Sequence, residues 1–194
     1  MTKNTKVNAA ILIIGNEILS GRTQDTNTST LATWLNSIGV KVSEVRIIPD
    51  IEKTIIDSLN ILRKENDYVF TTGGIGPTHD DITAQSVSKV FGRKYEIHKE
   101  AFKILESYYQ PGDFNEGRQR MVWMPEKAEL ILNPTSGAPG FSVENVFCLP
   151  GVPSIMKSML GGITNKIVGG EPILSKTISL KTVESEIASS LTKV

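Results

Sequence analysis

Unbroken apolar runs alternate along the chain with segments whose apolar residues recur every three or four positions. Residues 7–14 form a Val/Ile/Leu/Ala-rich run that stops at Gly15 and reads as a buried strand. Residues 26–38 carry Leu31, Trp34, Leu35 and Ile38 at helical spacing and end at Gly39, a glycine stop. Residues 40–48 are the next strand. Pro49-Asp50 then opens a second helical pattern with Ile51, Ile55, Leu59 and Leu62 on one face. Residues 68–72 are a short buried strand followed by glycines, and 82–91 are helical with Val87, Val90 and Phe91 turned inward. Strands that alternate with helices predict an α/β fold with a mostly parallel sheet covered on both faces. Sheets covered on both sides use strands of continuous Val/Ile character, as these are.

Further along, a helix is expected over 99–109, broken by Pro111-Gly112. A short helix follows from Asp113, with Glu116 at capping-box spacing. Residues 129–132 and 141–149 read as strands, and Pro153 opens a last core helix that runs to Leu160. Beyond it, glycine pairs at 161–162 and 169–170 flank a short segment, 172–180 is strand-like, and Val183, Ile187 and Leu191 form a helical stripe. The expected organisation is a main domain over 1–165 and a partial small subdomain or tail over 166–194.

Composition narrows the class. At 194 residues, with 39% apolar side chains, the chain has enough core for one domain without disulfides. Cys148 is the lone cysteine, so there is neither an intramolecular disulfide nor a cysteine-rich zinc site. That usage suits a reducing compartment and predicts a soluble, cytoplasmic protein. The 21 basic and 21 acidic residues cancel, which argues against a nucleic-acid-binding surface. Lys3, Lys6 and the run 9–14 mimic a signal peptide, but Gly15-Asn16-Glu17 supplies no cleavage site. No apolar run is long enough to cross a membrane.

Residues 68–83 hold the most informative chemistry: strand, glycine loop, helix start. Gly73, Gly74 and Gly76 clear side chains from a loop whose N–H groups, with the next helix N-terminus, can cradle a phosphate. In open parallel sheets ligands sit at the carboxyl ends of strands, where this loop falls. It matches neither the dinucleotide fingerprint nor the NTPase phosphate loop. Asp80 and Asp81 would repel a phosphate, unless Mg²⁺ or a similar hard cation takes carboxylate and phosphate oxygens together. The local alternative is a cap: Thr78 and Asp81 have capping-box spacing, and early acids suit the helix dipole. Asp50 carries the same two readings. It either caps the helix after Pro49 or converges on the sheet end that holds Asp81.

Asn16 and Glu17 follow a buried strand directly and face the crevice, whereas Asp25 or Thr26 can cap the next helix. The loop 133–140, which contains Ser136 and Gly137, and the turn Pro150-Gly151 add backbone donors beside the glycine loop. His79 is a weaker ligand candidate and His98 reads as a solvated helix cap. Cys148 reads as a small buried hydrophobe. Ser136 lacks a nucleophile-elbow sequence and a His partner. Arg118 and Arg120 read as surface arginines on a short helix.

Taken in order, the stretches 15–21, Asp25-Thr26-Asn27, Pro49-Asp50, 71–83, Asn133-Pro134, 138–141 and 149–153 resemble the molybdopterin-binding (MoaB/Mog) domain. The form is that of the amino-terminal domain of competence/damage-inducible CinA proteins, over about residues 7–160. The resemblance implies a three-layer α/β/α sandwich that assembles into homo-oligomers, trimers in the Mog branch. It also implies a small-molecule ligand: molybdopterin, activated by adenylyl transfer with Mg²⁺, or a nucleotide pyrophosphate such as ADP-ribose, cleaved with a divalent metal. Asp50 and Asp81 match the family's two functional aspartates and are the expected metal-holding, catalytic pair. Expected ligand contacts are Thr72, Gly73, Gly74, Ile75, Gly76, Thr78 and Asp80, with Asn16, Glu17, Asp25, Asn27, Ser136, Gly137, Pro150 and Gly151 around them. Two departures stand out. Thr135-Ser136-Gly137 replaces a Gly-Thr-containing step, and Ile155 stands where an acid is common, which weighs against catalysis. The amidohydrolase domain that follows in full-length CinA proteins is not in this sequence. A non-catalytic binding or assembly module is the third reading.

Overall fold

A computed structural model describes residues 6–171, 179 and 181–191 of the chain. Strand β1 (Val7–Ile14) leads through a single helical turn α1 (Asn16–Leu19) to helix α2 (Asn27–Ser37) and strand β2 (Val40–Ile48). Helix α3 (Glu52–Glu65) then leads to β3 (Tyr68–Thr72), and α4 (Thr83–Val90) follows the glycine loop. Next come β4 (Tyr95–Ile97), α5 (Lys99–Tyr108), the short α6 (Glu116–Gln119) with a 3-10 turn (Arg120–Val122), and β5 (Trp123–Pro125). Strands β6 (Glu129–Ile131), β7 (Gly140–Val143) and β8 (Val146–Leu149) complete the sheet; α7 (Pro153–Met159) and a 3-10 helix (Leu160–Lys166) pack on it. Helix α8 (Glu184–Leu191) lies beyond.

Six strands run in the order β2-β1-β3-β8-β7-β6. The β1–β2, β1–β3 and β3–β8 pairs are parallel, and the last two pairings are antiparallel. Two cores sandwich this sheet. On one face Leu31 and Leu35 of α2 pack with Met156 and Met159 of α7 over Ala9, Ile11 and Ile13. On the other, Ile55, Leu59 and Leu62 of α3 join Val87 of α4 over Ala10, Leu12 and Ile14. Alternate residues of β1 thus feed opposite cores, which is why the whole run is apolar. Phe70 of β3 stacks on Phe147 of β8 with centroids 5.0 Å apart, and Trp34 meets it edge-on. The expected three-layer α/β fold with a mostly parallel sheet is observed.

Several local expectations are corrected. The run 141–149 is not one strand but a hairpin. Glu144, at φ 52°, takes the left-handed turn conformation between β7 and β8, and the Asn145 side chain donates to the carbonyls of Arg63 and Asn66. The fold here becomes antiparallel because a two-residue turn cannot connect parallel strands. Ile51 is 54% exposed rather than in the inward face of α3, because it precedes the helix in an extended conformation. Asn115, not Asp113, caps α6, its side-chain oxygen accepting from Arg118 N–H. The small β4–β5 pair was not foreseen.

Strand β2 contains a bulge. Val42 pairs with Ala9, but Ala10 pairs with Glu44, leaving Ser43 as the extra residue, its hydroxyl bonded to the Ala9 carbonyl.

Past the 3-10 helix, Val168 N–H donates to the Tyr68 hydroxyl and Gly170 N–H to the Gly39 carbonyl. The strand-like stretch 172–180 lies outside the described residues apart from residue 179. Val183 is exposed just before α8 and Ile187 is half-buried. Leu191 ends α8; its side chain is outside the described residues. Among the described residues no helix is long and apolar enough to cross a membrane.

Candidate functional site

The parallel register delivers four chain ends to one edge of the sheet: Ile14 pairs with Ile48, Ile13 with Thr72, and Thr72 with Leu149. Gly15, Pro49-Asp50, the glycine loop and Pro150-Gly151 leave from there. Connections run from β1 outward to β2, then back across to β3. That reversal opens the crevice where ligands bind in such sheets.

A cavity of about 520 Å³ occupies it. Its floor is the loop Gly73-Gly74-Ile75-Gly76. Gly73 and Gly74 have φ of 97° and 67°, and a Cβ on Gly73 would lie 2.1 Å from the Ile14 carbonyl oxygen. No side chain is tolerated at such a contact, so the glycine is required by both torsion and space. Thr83, at the start of α4, locks the loop from below: its hydroxyl donates to the Gly73 carbonyl (3.0 Å) and its N–H to the Gly74 carbonyl (2.9 Å).

Asp81 lines the cavity at the far end of this loop. Its Oδ2 accepts from the Thr78 N–H (2.8 Å) and from the Thr78 hydroxyl (2.5 Å). This is the local bond that the Thr78–Asp81 spacing suggested, but it closes the turn before α4 rather than capping that helix, whose flanking residue Ile82 has no side-chain bond. Both bonds fall on one oxygen, and Oδ1 takes none among the described residues. Gly76 makes room for this carboxylate, since a Cβ there would meet Asp81 Oδ2 at 2.7 Å.

Asp50 is not a helix cap either. Its Oδ2 accepts the backbone N–H of Asn16 at 2.9 Å, tying the end of β2 to the turn after β1. Burial pushes its carboxyl above the ordinary range, the Asn16 N–H pulls it back, and the negative charges of Glu17 and Asp80 push it up again. Glu17 and Asp80 line the same cavity, so four carboxylates face one space. No Lys, Arg or His side chain is among its described lining residues.

The opposite wall is apolar: Met121, Ala138, Pro139, Val152, Pro153 and Ile155. Asn133 holds that side together. Its Oδ1 accepts from Thr135 and Ser136 N–H, and its Nδ2 donates to the Ser136 hydroxyl and the Ala138 carbonyl. Of these residues, Asn133, Ala138, Pro139, Val152 and Pro153 fall in the stretches that carry the family resemblance, Ser136 and Ile155 are singled out, and Met121 is not selected from sequence. They come from three separate segments: residue 121, 133–139 and 152–155.

Ser136, Thr78, Ile75, Pro150 and Gly151 line the cavity. Thr72, Asp25 and Asn27 line a smaller adjoining hollow of about 50 Å³ instead. Asp25 caps α2, accepting from the N–H groups of Asn27 and Thr28. Asn27 is 5% exposed and donates to the Gly151 carbonyl at 2.8 Å, while its Oδ1 has no partner among the described residues. Asn16 contributes its N–H to Asp50 and is not among the lining residues. Gly137 sits behind the wall at φ 75°, against the Tyr108 ring. His79 is exposed and outside the lining. His98 caps α5 through Nδ1, with Nε2 on the Ala128 carbonyl, and is half-buried rather than solvated. Burial pushes the Cys148 thiol up to about 12, so it stays protonated.

Comparison with known proteins agrees with this geometry. Residues 10–169 match the family described as probable molybdopterin binding domain. A protein of Archaeoglobus fulgidus is 37% identical over 161 residues, covering 83% of this chain and 69% of its own. A CinA-like protein of Geotalea uraniireducens is 36% identical over 157 residues, covering 78% of this chain. The chain spans 59% of a relative from Aeropyrum pernix and 37% of the Geotalea protein. Among solved structures, CinA of Thermoplasma acidophilum, a protein described as of unknown function, superposes with a TM-score of 0.78 at 32% identity, over 84% of this chain and 99% of its own. The molybdopterin biosynthesis enzyme MoaB of Thermus thermophilus gives 0.55 at 16% identity, over 82% and 90%, a likeness of fold alone. Sheet order, glycine loop and sequence matches agree: the chain belongs to the MoaB/Mog-like molybdopterin-binding domain family, in its CinA-like form.

Proposed function

We propose that the cavity binds the phosphate or pyrophosphate of a pterin or nucleotide on the glycine loop, with a divalent cation shared between that ligand and Asp50 and Asp81. The observation that carries this reading is the charge of the lining: four carboxylates over a backbone floor, with no cationic side chain among the described lining residues. An anionic ligand enters such a space only with a counter-charge. Mg²⁺ typically uses one or two carboxylates and completes its shell with phosphate oxygens and water. The donor set fits that pattern. Among the described residues no three His, Cys, Asp or Glu side chains stand together as a ready metal cage, so ligand oxygens have to complete the shell.

When bound, the cation neutralises charge at phosphorus. The chain's own residues do the rest. Asn16 N–H holds Asp50 and Thr78 holds Asp81, so both carboxylates are oriented before a ligand arrives. The loop N–H groups receive phosphate oxygens. The wall of Met121, Val152 and Ile155 offers an apolar surface to a flat heteroaromatic ring.

The test is incubation with ADP-ribose and Mg²⁺, Mn²⁺ or Co²⁺, with nucleotide products separated by chromatography and Asp81→Asn run alongside. AMP and ribose 5-phosphate from the wild type alone would make the site a pyrophosphatase. Binding by calorimetry without turnover would favour the non-catalytic reading, which Ile155 in the wall supports, and molybdopterin is then the next ligand. Neither binding nor turnover with any of these ligands would overturn the proposal.

A further inference from the structure

Beside the cavity lies a narrow crevice that shares Gly76, Asp81 and Met121 with it and has Tyr95, Trp123 and Arg120 in its own wall. Arg120 joins the end of α6 to the 3-10 turn whose next residue, Met121, is in the cavity wall. Its side chain is exposed and forms no ion pair or hydrogen bond among the described residues. The chain's other arginines are engaged. Arg22, Arg46, Arg63 and Arg93 each donate to a protein oxygen. Arg118, two residues away, donates to the Asp113 carbonyl and lies 4.2 Å over the Tyr109 ring. Arg120 and Tyr95 line this crevice together, and the Tyr95 phenol, pushed up by burial, is pulled back by the Arg120 charge.

The pyrophosphate diester of ADP-ribose carries two negative charges, which one divalent cation only just cancels, and the cavity already holds four carboxylates that this leaves unbalanced. A guanidinium presents two parallel donors to phosphate oxygens, and one without partners breaks no bond in order to turn. Building on the reading of the cavity as a (pyro)phosphate site, we propose that Arg120 is its anion-binding side chain, closing over Met121 onto the outer phosphate of a ligand seated on the glycine loop.

The experiment is calorimetric titration of the whole chain with ADP, ADP-ribose, AMP and adenosine in the presence of Mg²⁺. Wild type is compared with Arg120→Gln, Arg120→Lys and Arg118→Gln. Arg120→Gln should weaken ADP and ADP-ribose binding by about tenfold or more, as expected for a charge-assisted hydrogen bond, and leave adenosine unchanged. Arg120→Lys should recover part of the loss, and Arg118→Gln should not share it. Wild-type ADP affinity in Arg120→Gln, or an equal loss for adenosine, would overturn the role of Arg120 and leave the cavity reading intact. If the wild type binds none of the phosphate ligands, both fall together.

Discussion

The Asp50 carboxylate and the Asn16 backbone N–H meet at 2.9 Å, joining the carboxyl end of β2 to the first turn after β1. One hydrogen bond thereby fixes the position of an acid whose neighbours, Glu17 and Asp80, carry the same charge. Holding like charges together is costly, and the backbone donor offsets part of that cost.

The raised Asp50 carboxyl sets a pH dependence. A folded-state value above the unfolded one means the native protein holds this proton to higher pH. Its contribution to stability is therefore complete below the ordinary carboxylate range and is lost as pH rises through the elevated folded value. Divalent-cation binding runs the other way, since it needs the ionised form, and should weaken as pH falls through that same value. In Asp50→Asn, which keeps an acceptor for Asn16, both slopes should flatten. Denaturant melts and Mn²⁺ titrations between about pH 4 and 7 would read them; an unchanged slope in the variant assigns the proton elsewhere.

Gly73→Ala should be severely destabilising. The new methyl carbon would sit 2.1 Å from the Ile14 carbonyl oxygen at φ 97°, and that oxygen belongs to β1, which is paired on both sides and cannot yield. A loss of roughly 2–4 kcal/mol in urea unfolding is expected, with loss of ligand binding. A drop below about 1 kcal/mol would mean that the loop is free to rebuild itself.

Phe70→Ala removes the ring shared by Trp34 and Phe147 at the centre of the sheet. Large-to-small changes of this kind cost about 3–5 kcal/mol, and the chemical-denaturation midpoint is the measurement. A much smaller cost would show that Met156 and Met159 on the same face move in to fill the space.

Asp81→Asn separates the two roles of that residue. Its amide oxygen can still accept from Thr78, so thermal stability should stay within about 1 kcal/mol of wild type, while Mn²⁺ binding falls at least tenfold. Unchanged metal affinity would leave Asp81 as a turn-closing residue only.

Much of the scaffold was legible in the sequence because the central strands have one environment from end to end. Every residue of 7–14 past Asn8 is buried on one face or the other, so the run carries its own boundaries. The hairpin at Glu144-Asn145 was not read, because two charged or amide residues are a weak signal beside the six apolar ones around them. The strands β4 and β5 are three residues each, too short to show a period. In the cavity, Asp50 and the glycines were visible because they follow strand ends, where sequence order and topology agree, and Asp81 because it precedes a helix at capping-box spacing from Thr78. Met121 was not, since a lone apolar residue supplied by a distant segment looks like ordinary core.

The Ser43 bulge does more than kink an edge. Before it, Val40 and Val42 join the core beneath α2; after it, Ile48 joins the core beneath α3. A strict alternation would keep 40, 42 and 48 on one side. One surplus residue therefore resets the strand's parity, and Asp50 inherits the result two positions later. A chain lacking Ser43 keeps the ladder from Glu44 onward, so the strand end and Asp50 stay where they are while the kink is lost. The reach of the acid into the cavity is set by the register beyond the bulge, in which Ile48 pairs with Ile14, and not by the length of strand that precedes it.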